Sequence, residues 1–167
     1  QTSIVSVDDE RGIATTDDGT EIPYDLFLGV PHHRAPTVVL ESDISSNGWI
    51  PVNPLTMETP FDGVYAVGDV AEVGTPRAGV FAEGQAKAAA KSIAARIRGE
   101  ASDASYDGHG VCYLEFGEGE VAMVDVTFLG DSKSASIIGP AEGYVADKLD
   151  FGTSRIKRWF GRDWTAT

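Results

Sequence analysis

Asp69 and Cys112 are the residues whose types and settings invite chemistry. Asp69 follows a short β-branched and aromatic run, Val64-Tyr65-Ala66-Val67, that stops at Gly68, and a helix is expected soon after. A carboxylate leaving the end of a strand can accept a hydrogen bond from a ligand hydroxyl. The amides behind it, with those at the start of the next helix, can receive an anionic or electron-rich group. Spacing alone equally allows Asp69 to do no more than cap a turn. Cys112 is the only cysteine. Its thiolate form is a nucleophile and a redox group, yet in an alternating strand it shares a face with Leu114 and Phe116, which also suits a buried structural cysteine. A single cysteine excludes an internal disulfide and a cysteine-cluster metal site. His32, His33 and His109 lack metal-ligand spacing, and His32 and His33 read either as pocket-facing or as solvated loop residues.

The elements that must position these groups are legible in part. Thr75 as a hydroxyl N-cap and Pro76 at the first helical position predict a helix over 76–98. Ala78, Phe81, Ala82, Ala86, Ala89, Ala90, Ile93, Ala94 and Ile97 form its apolar stripe. Glu83 and Lys87 form an i,i+4 pair, Arg96 and Arg98 favour the helix C-terminus, and Gly99 stops it. Upstream, Ile4–Val7 and Ile13–Thr15 read as strands, with a hairpin turn at Asp17-Asp18-Gly19. The apolar run 24–30 reads as a buried strand, and Val38–Leu40 and 49–52 as weaker strands. Downstream, 111–116 and 121–128 form an antiparallel pair around Gly117-Glu118-Gly119. Two helical segments follow, 143–149 and 153–160.

The 167 residues, 42% hydrophobic and 23% charged, allow one domain or two small ones and exclude a disordered chain. No stretch is apolar for long enough to span a bilayer. The net charge of -13 argues against a nucleic-acid partner. The acidic excess is spread along the chain and reads as a solvated surface or as adaptation to salt. A lone cysteine makes a reducing, cytoplasmic compartment the expectation. The first residue is Gln rather than Met, so a processed chain or a piece of a longer one is expected.

Val64-Tyr65-Ala66-Val67-Gly68-Asp69-Val70, with Thr59 before it and Pro76-Arg77-Ala78-Gly79 after it, resembles the second FAD-binding motif of flavoproteins with two dinucleotide-binding domains. The segments 24–36, 48–53 and 112–117 narrow the resemblance to the sulfide:quinone oxidoreductases and their flavocytochrome relatives. It runs in order from about residue 4 to residue 161. It implies that Gly68 and Asp69 meet the ribityl chain of FAD and that Val70 offers its amide near the pyrophosphate. Arg77, Ala78 and Gly79 would lie at the pyrimidine end of the isoalloxazine. There a helix N-terminus and a cation stabilise charge on reduced flavin. Members usually carry lysine where Arg77 stands, so a fork donor replaces a point donor. Cys112 matches one of two redox cysteines, and its partner would lie outside this chain.

The resemblance implies a mixed α/β fold, the C-terminal half of such a flavoprotein, with a small antiparallel sheet and terminal helices. The expected parts are 1–40, the end of a second dinucleotide-binding-like domain, then 41–103, the C-terminal half of the FAD domain, and 104–167, the sheet and helices. No Gly-x-Gly-x-x-Gly follows a strand, so the unit that holds the ADP half of FAD is expected elsewhere and the isolated chain is expected to be inactive. Sulfide, or a similar donor, and quinone are the implied partners. The basic-aromatic stretch 153–164 reads either as a peripheral membrane helix or as a helix that packs its aromatics on the body. Self-association is expected from apolar surface that the implied fold leaves open. Two alternatives stand: an NADH:quinone-type flavoprotein in which Cys112 is structural, and a stand-alone binding or oligomerisation module.

Overall fold

The computed structural model describes residues 2–30, 32–131 and 133–164. The chain divides into two compact units, 1–33 and 34–167. The fold is mixed α/β, built from small sheets and helices as the sequence implies.

In the first unit, β1 (Ile4–Asp8), β2 (Ile13–Thr16) and β3 (Glu21–Pro23) form an antiparallel sheet in that order. The turn at 17–19 closes as its residues dictate. Gly19 takes a left-handed φ of 84°, and Asp18 Oδ1 accepts hydrogen bonds from the Thr16 hydroxyl at 2.6 Å and the Thr20 amide at 3.0 Å. Those donors hold the Asp18 carboxyl below its ordinary pKa. The run 24–30 is not a buried strand. Among the described residues only Tyr24 is tied down, by its amide to the Gly12 carbonyl at 2.9 Å; no ladder forms, and Leu28 is 85% exposed. Apolar composition supplies the tendency to bury, but a strand needs a ladder partner.

The second unit opens with a correction: Val38–Leu40 lies in a short helix, α1 (Thr37–Leu40). β4 (Ile50–Pro51) pairs in parallel with β5 (Ala71–Glu72). The run 64–67 is not a strand either. Its one ladder contact is a bridge from Tyr65 to Glu58, and it leads into a single 3-10 turn at Gly68–Val70. α2 (Gly79–Arg98) follows, then β6 (His109–Gly117), β7 (Glu120–Thr127) and β8 (Ser134–Ala141) in one antiparallel sheet. β8 gave no sequence signal. The two expected terminal helices are one continuous helix, α3 (Tyr144–Phe160).

The core gathers Ile50, Met57, Ala66, Ala71, Val73, Ala88, Ala89 and Tyr106, so α2 packs over the β4–β5 region. The buried face of α2 is Phe81, Gln85, Ala88, Ala89, Ser92 and Ala95. It is rotated from the expected stripe: Ala86, Ala90, Ile93 and Ile97 are exposed. In an alanine-rich helix every face is mildly apolar, so the neighbours decide which one is covered. Gly99 ends α2 with φ 69°, as its residue type predicts.

α3 lies against the sheet and α2. Tyr113 meets Phe151 edge-on at 5.4 Å, and Arg155 stacks over the Phe151 ring at 3.6 Å. Glu83 of α2, 12% exposed, is the charge hub. It accepts from Arg155 Nε at 2.9 Å and from Arg158, and pairs with Lys87 at 3.1 Å. Arg155 and Arg158 thus bind the body, Lys157 pairs with Asp163 of its own stretch at 2.7 Å, and Trp159, Phe160 and Trp164 stay exposed. Trp159 and Phe160 are 56% and 69% exposed, whereas Trp164 edges a cleft with Val121, Val145 and Leu149, so the expected packing of the aromatics is met only by Trp164 and only in part. Among the described residues no helix is long and apolar enough to cross a membrane.

Burial pushes the Glu83 carboxyl up, but the hydrogen bonds from Lys87 and Arg155 outweigh it and leave its pKa below the ordinary value. A lowered folded pKa contributes stability above the unfolded value and loses it as pH falls through the folded one. Glu83→Gln is therefore expected to cost about 1–3 kcal/mol at neutral pH. It should also flatten the acid limb of the stability curve below the ordinary carboxylate range. Thermal melts across pH check this; an acid limb as steep as the wild type's would refute it.

Candidate functional site

The site grows from the turn after Ala66-Val67. Gly68 has φ 76°, a left-handed value that disfavours any side chain, and a Cβ there would stand 3.7 Å from that of Ala82. The turn therefore lies close against α2. Gly68 donates its amide to Gln85 Oε1 at 2.7 Å, and Gln85 Nε2 donates to Thr75 Oγ1 at 3.2 Å. Gln85 is only 3% exposed. The hydroxyl of Tyr106, buried and without a hydrogen-bond partner among the described residues, lies beside Thr75 and Gln85, and burial raises its pKa.

Asp69 is exposed. Its carboxylate makes no hydrogen bond to the described residues, while its carbonyl accepts from Arg77 Nε at 3.0 Å. Arg77 is held on two further sides. Its guanidinium lies 3.6 Å from the centroid of Trp49 and 3.6 Å from Glu72 Oε2. Three hydrogens of the fork remain after Nε–H and the Glu72 contact are counted. Val70 closes the 3-10 turn, with the Ala71 amide bonded to the Gly68 carbonyl.

The expected helix start is overturned. Thr75 uses its hydroxyl as an acceptor for Gln85, Ala78 stays extended at φ −149° and ψ 153°, and α2 begins at Gly79 with no side-chain cap. The Phe81 and Ala82 amides both turn back to the Ala78 carbonyl at 3.1 Å, and the Gly79 and Val80 amides have no intrahelical acceptor. A Cβ at Gly79 would meet nothing within 4 Å. The helix therefore presents an uncapped, unobstructed positive end.

The structure thus brings Gly68, Asp69, Val70, Arg77, Ala78 and Gly79 to one place. Cys112 stands on β6 opposite Val124, half-buried. Gly110, two residues earlier on the same face of the strand, lies against the first turn of α2. A Cβ there would fall 2.6 Å from Phe81 and 3.0 Å from Val80. Of the two settings the sequence allowed for Cys112, full burial is not found: Cys112 is half-buried and Leu114, on its face, is 44% exposed. On the other side of the sheet, a cleft of about 800 Å³ between the β6–β7 hairpin and α3 is lined by Tyr113, Val121, Val145, Leu149, Phe151 and Trp164 among others. His32 and His33 are exposed in the first unit.

Sequence reasoning missed Gln85 and Trp49. Gln85 stood one position outside the apolar stripe, and a polar residue between Gly84 and Ala86 on a helix gives no sign of burial. Trp49 was noted only inside a segment resemblance. A tryptophan and an arginine 28 positions apart carry no pairing signal.

The residues fit the chemistry of a flavin. An unpartnered carboxylate suits a polyol hydroxyl. An open helix N-terminus beside a cation suits an electron-rich carbonyl edge.

No family model matches the chain. The mitochondrial sulfide:quinone oxidoreductase of Schizosaccharomyces pombe is 27% identical over 117 residues, which are 69% of this chain and 26% of that protein. A chain in the cryo-EM structure of the Tetrahymena thermophila mitochondrial ATP synthase matches the fold with a TM-score of 0.65 at 20% identity, over 79% of this chain and 34% of that one. The chain therefore spans about a quarter of the curated relative it matches. It is a distant relative of the sulfide:quinone oxidoreductases, an oxidoreductase family.

Proposed function

We propose that this chain supplies the ribityl- and pyrimidine-contacting part of an FAD-dependent oxidoreductase that takes electrons from sulfide, or a similar donor, and delivers them to quinone. The observation that carries this reading is the conjunction at the Gly68–Val70 turn. An exposed Asp69 carboxylate, unpartnered among the described residues, and the uncapped start of α2 are joined through Arg77. When bound, FAD supplies two-electron acceptor chemistry. Asp69 accepts from a ribityl hydroxyl, and the Gly79 and Val80 amides with Arg77 face the pyrimidine edge, where they favour negative charge. Trp49, stacked on the planar Arg77 guanidinium, holds it in place.

Cys112 is the sulfur-handling group in this reading, and the strand that carries it packs on the first turn of α2. The aromatic and aliphatic cleft beside Tyr113 and Phe151 suits the apolar ring and tail of a quinone. It opens on the face of β6 opposite Cys112, so donor and acceptor sides are separate.

The test uses the protein expressed from its complete reading frame, stripped of flavin and titrated with FAD. The wild type is expected to bind FAD stoichiometrically and to lose flavin absorbance with sulfide but not with NADH. Asp69→Ala should weaken FAD binding about ten- to a hundredfold with an unchanged melting temperature of the apoprotein, because the carboxylate has no other partner among the described residues. Absence of flavin from the wild type would overturn the reading. Reduction by NADH alone would replace the donor.

A further inference from the structure

Gln85 is a buried amide on the α2 face that packs among Ala88, Ala89 and Tyr106. Its two polar ends go to two different loops. Oε1 holds the Gly68 amide at 2.7 Å, and Nε2 holds the Thr75 hydroxyl at 3.2 Å. The first loop carries Asp69 and Val70; the second runs directly into Arg77 and Gly79. A third link closes the figure, because Arg77 Nε returns to the Asp69 carbonyl at 3.0 Å. Neighbours fix the side chain as well. The Tyr106 ring lies against Gly84, where a Cβ would fall 2.7 Å from it, so the helix turn that bears Gln85 sits flush on the core.

An apolar side chain of the same volume would fill this place without needing partners, and burying an amide is costly unless both ends are satisfied. What only the amide provides is the joint between the two loops. We propose that Gln85 is the positioning residue that locks the Gly68–Val70 turn to the Thr75–Arg77 segment, so that Asp69 and Arg77 reach one flavin at a set separation. This rests on the flavin reading above. Gln85 touches no ligand itself; it acts through the Gly68 amide and Thr75.

The test compares Gln85→Met, which keeps the volume and removes both hydrogen bonds, with Gln85→Glu. A glutamic side chain at 85 can accept from the Gly68 amide and share a hydrogen bond with Thr75 in either protonation state. Both are made in the protein from the complete reading frame. The readouts are FAD dissociation constants of the apoprotein and hydrogen exchange of the Gly68 amide with and without FAD. Gln85→Met is expected to bind FAD about tenfold more weakly and to exchange the Gly68 amide faster in both states. Gln85→Glu should restore most of both.

Wild-type affinity in Gln85→Met would overturn the proposal while leaving the flavin reading intact. So would a Gln85→Glu variant as weak as Gln85→Met. If the wild type itself takes no FAD, the flavin reading fails and the role toward the flavin goes with it. The apo exchange of Gly68 then reports separately whether Gln85 pins the turn.

Discussion

Cys112→Ala is expected to leave FAD bound while sulfide-dependent reduction of the flavin falls by on the order of a thousandfold or more, the scale of losing a nucleophile. Cys112 is the one thiol in this sequence, and a partner cysteine left alone by the change would lack the second sulfur that the two-cysteine reading requires. The change is sterically mild. Cys112 sits in regular antiparallel register opposite Val124, half-buried, and a smaller side chain there leaves the ladder intact. The Asp69, Arg77 and Gly79 contacts expected for FAD belong to other segments, so flavin content should be unaffected. Rapid mixing of the reconstituted variant with sulfide, followed by the flavin absorbance, decides the matter. Reduction at the wild-type rate would make Cys112 structural and move the sulfur chemistry elsewhere. Loss of both flavin and activity would show that the strand, rather than the thiol, had been damaged.

Gly108→Ala should be among the most destabilising single changes in the chain, by about 3 kcal/mol, or a melting temperature lower by roughly 10 °C. Gly108 has φ 73°, and a Cβ there would stand 2.8 Å from the Leu129 backbone nitrogen and 2.9 Å from its Cγ. Backbone strain and a clash with an atom that cannot rotate away therefore add. The position matters because Gly108 leads into β6, and its carbonyl accepts from the Phe128 amide at 3.2 Å. It thereby registers the start of β6 against the end of β7. Gly119→Ala is the control: φ is 80° there too, but nothing lies within 4 Å of a Cβ. It should cost only the strain of the conformation, about 1–2 kcal/mol. Thermal melts of the pair separate the two terms, and equal losses would remove the clash from the account.

The sequence by itself determined the elements whose signals are local. The Asp17-Asp18-Gly19 turn, the hairpin around Gly117-Glu118-Gly119 and the stop of α2 at Gly99 need only the φ preferences of a few adjacent residues. The Gly68-Asp69 motif and Arg77-Ala78-Gly79 were legible in the same way, through residue types in a fixed order. Pairing and burial were not local. The runs 24–30 and 64–67 have strand composition but, among the described residues, join no ladder beyond the isolated bridge of Tyr65 to Glu58, and β8 forms because β7 offers it an edge. Thr75-Pro76 carries a helix-start signal, yet α2 begins at Gly79, because the Thr75 hydroxyl is engaged by a side chain ten residues on. That displacement leaves the helix end uncapped. Only the tertiary structure could decide that Gln85 is buried, that Trp49 supports Arg77, and that β6 lays Gly110 on the first turn of α2. Each depends on which of several chemically similar surfaces meets a neighbour, a choice made by packing between distant segments.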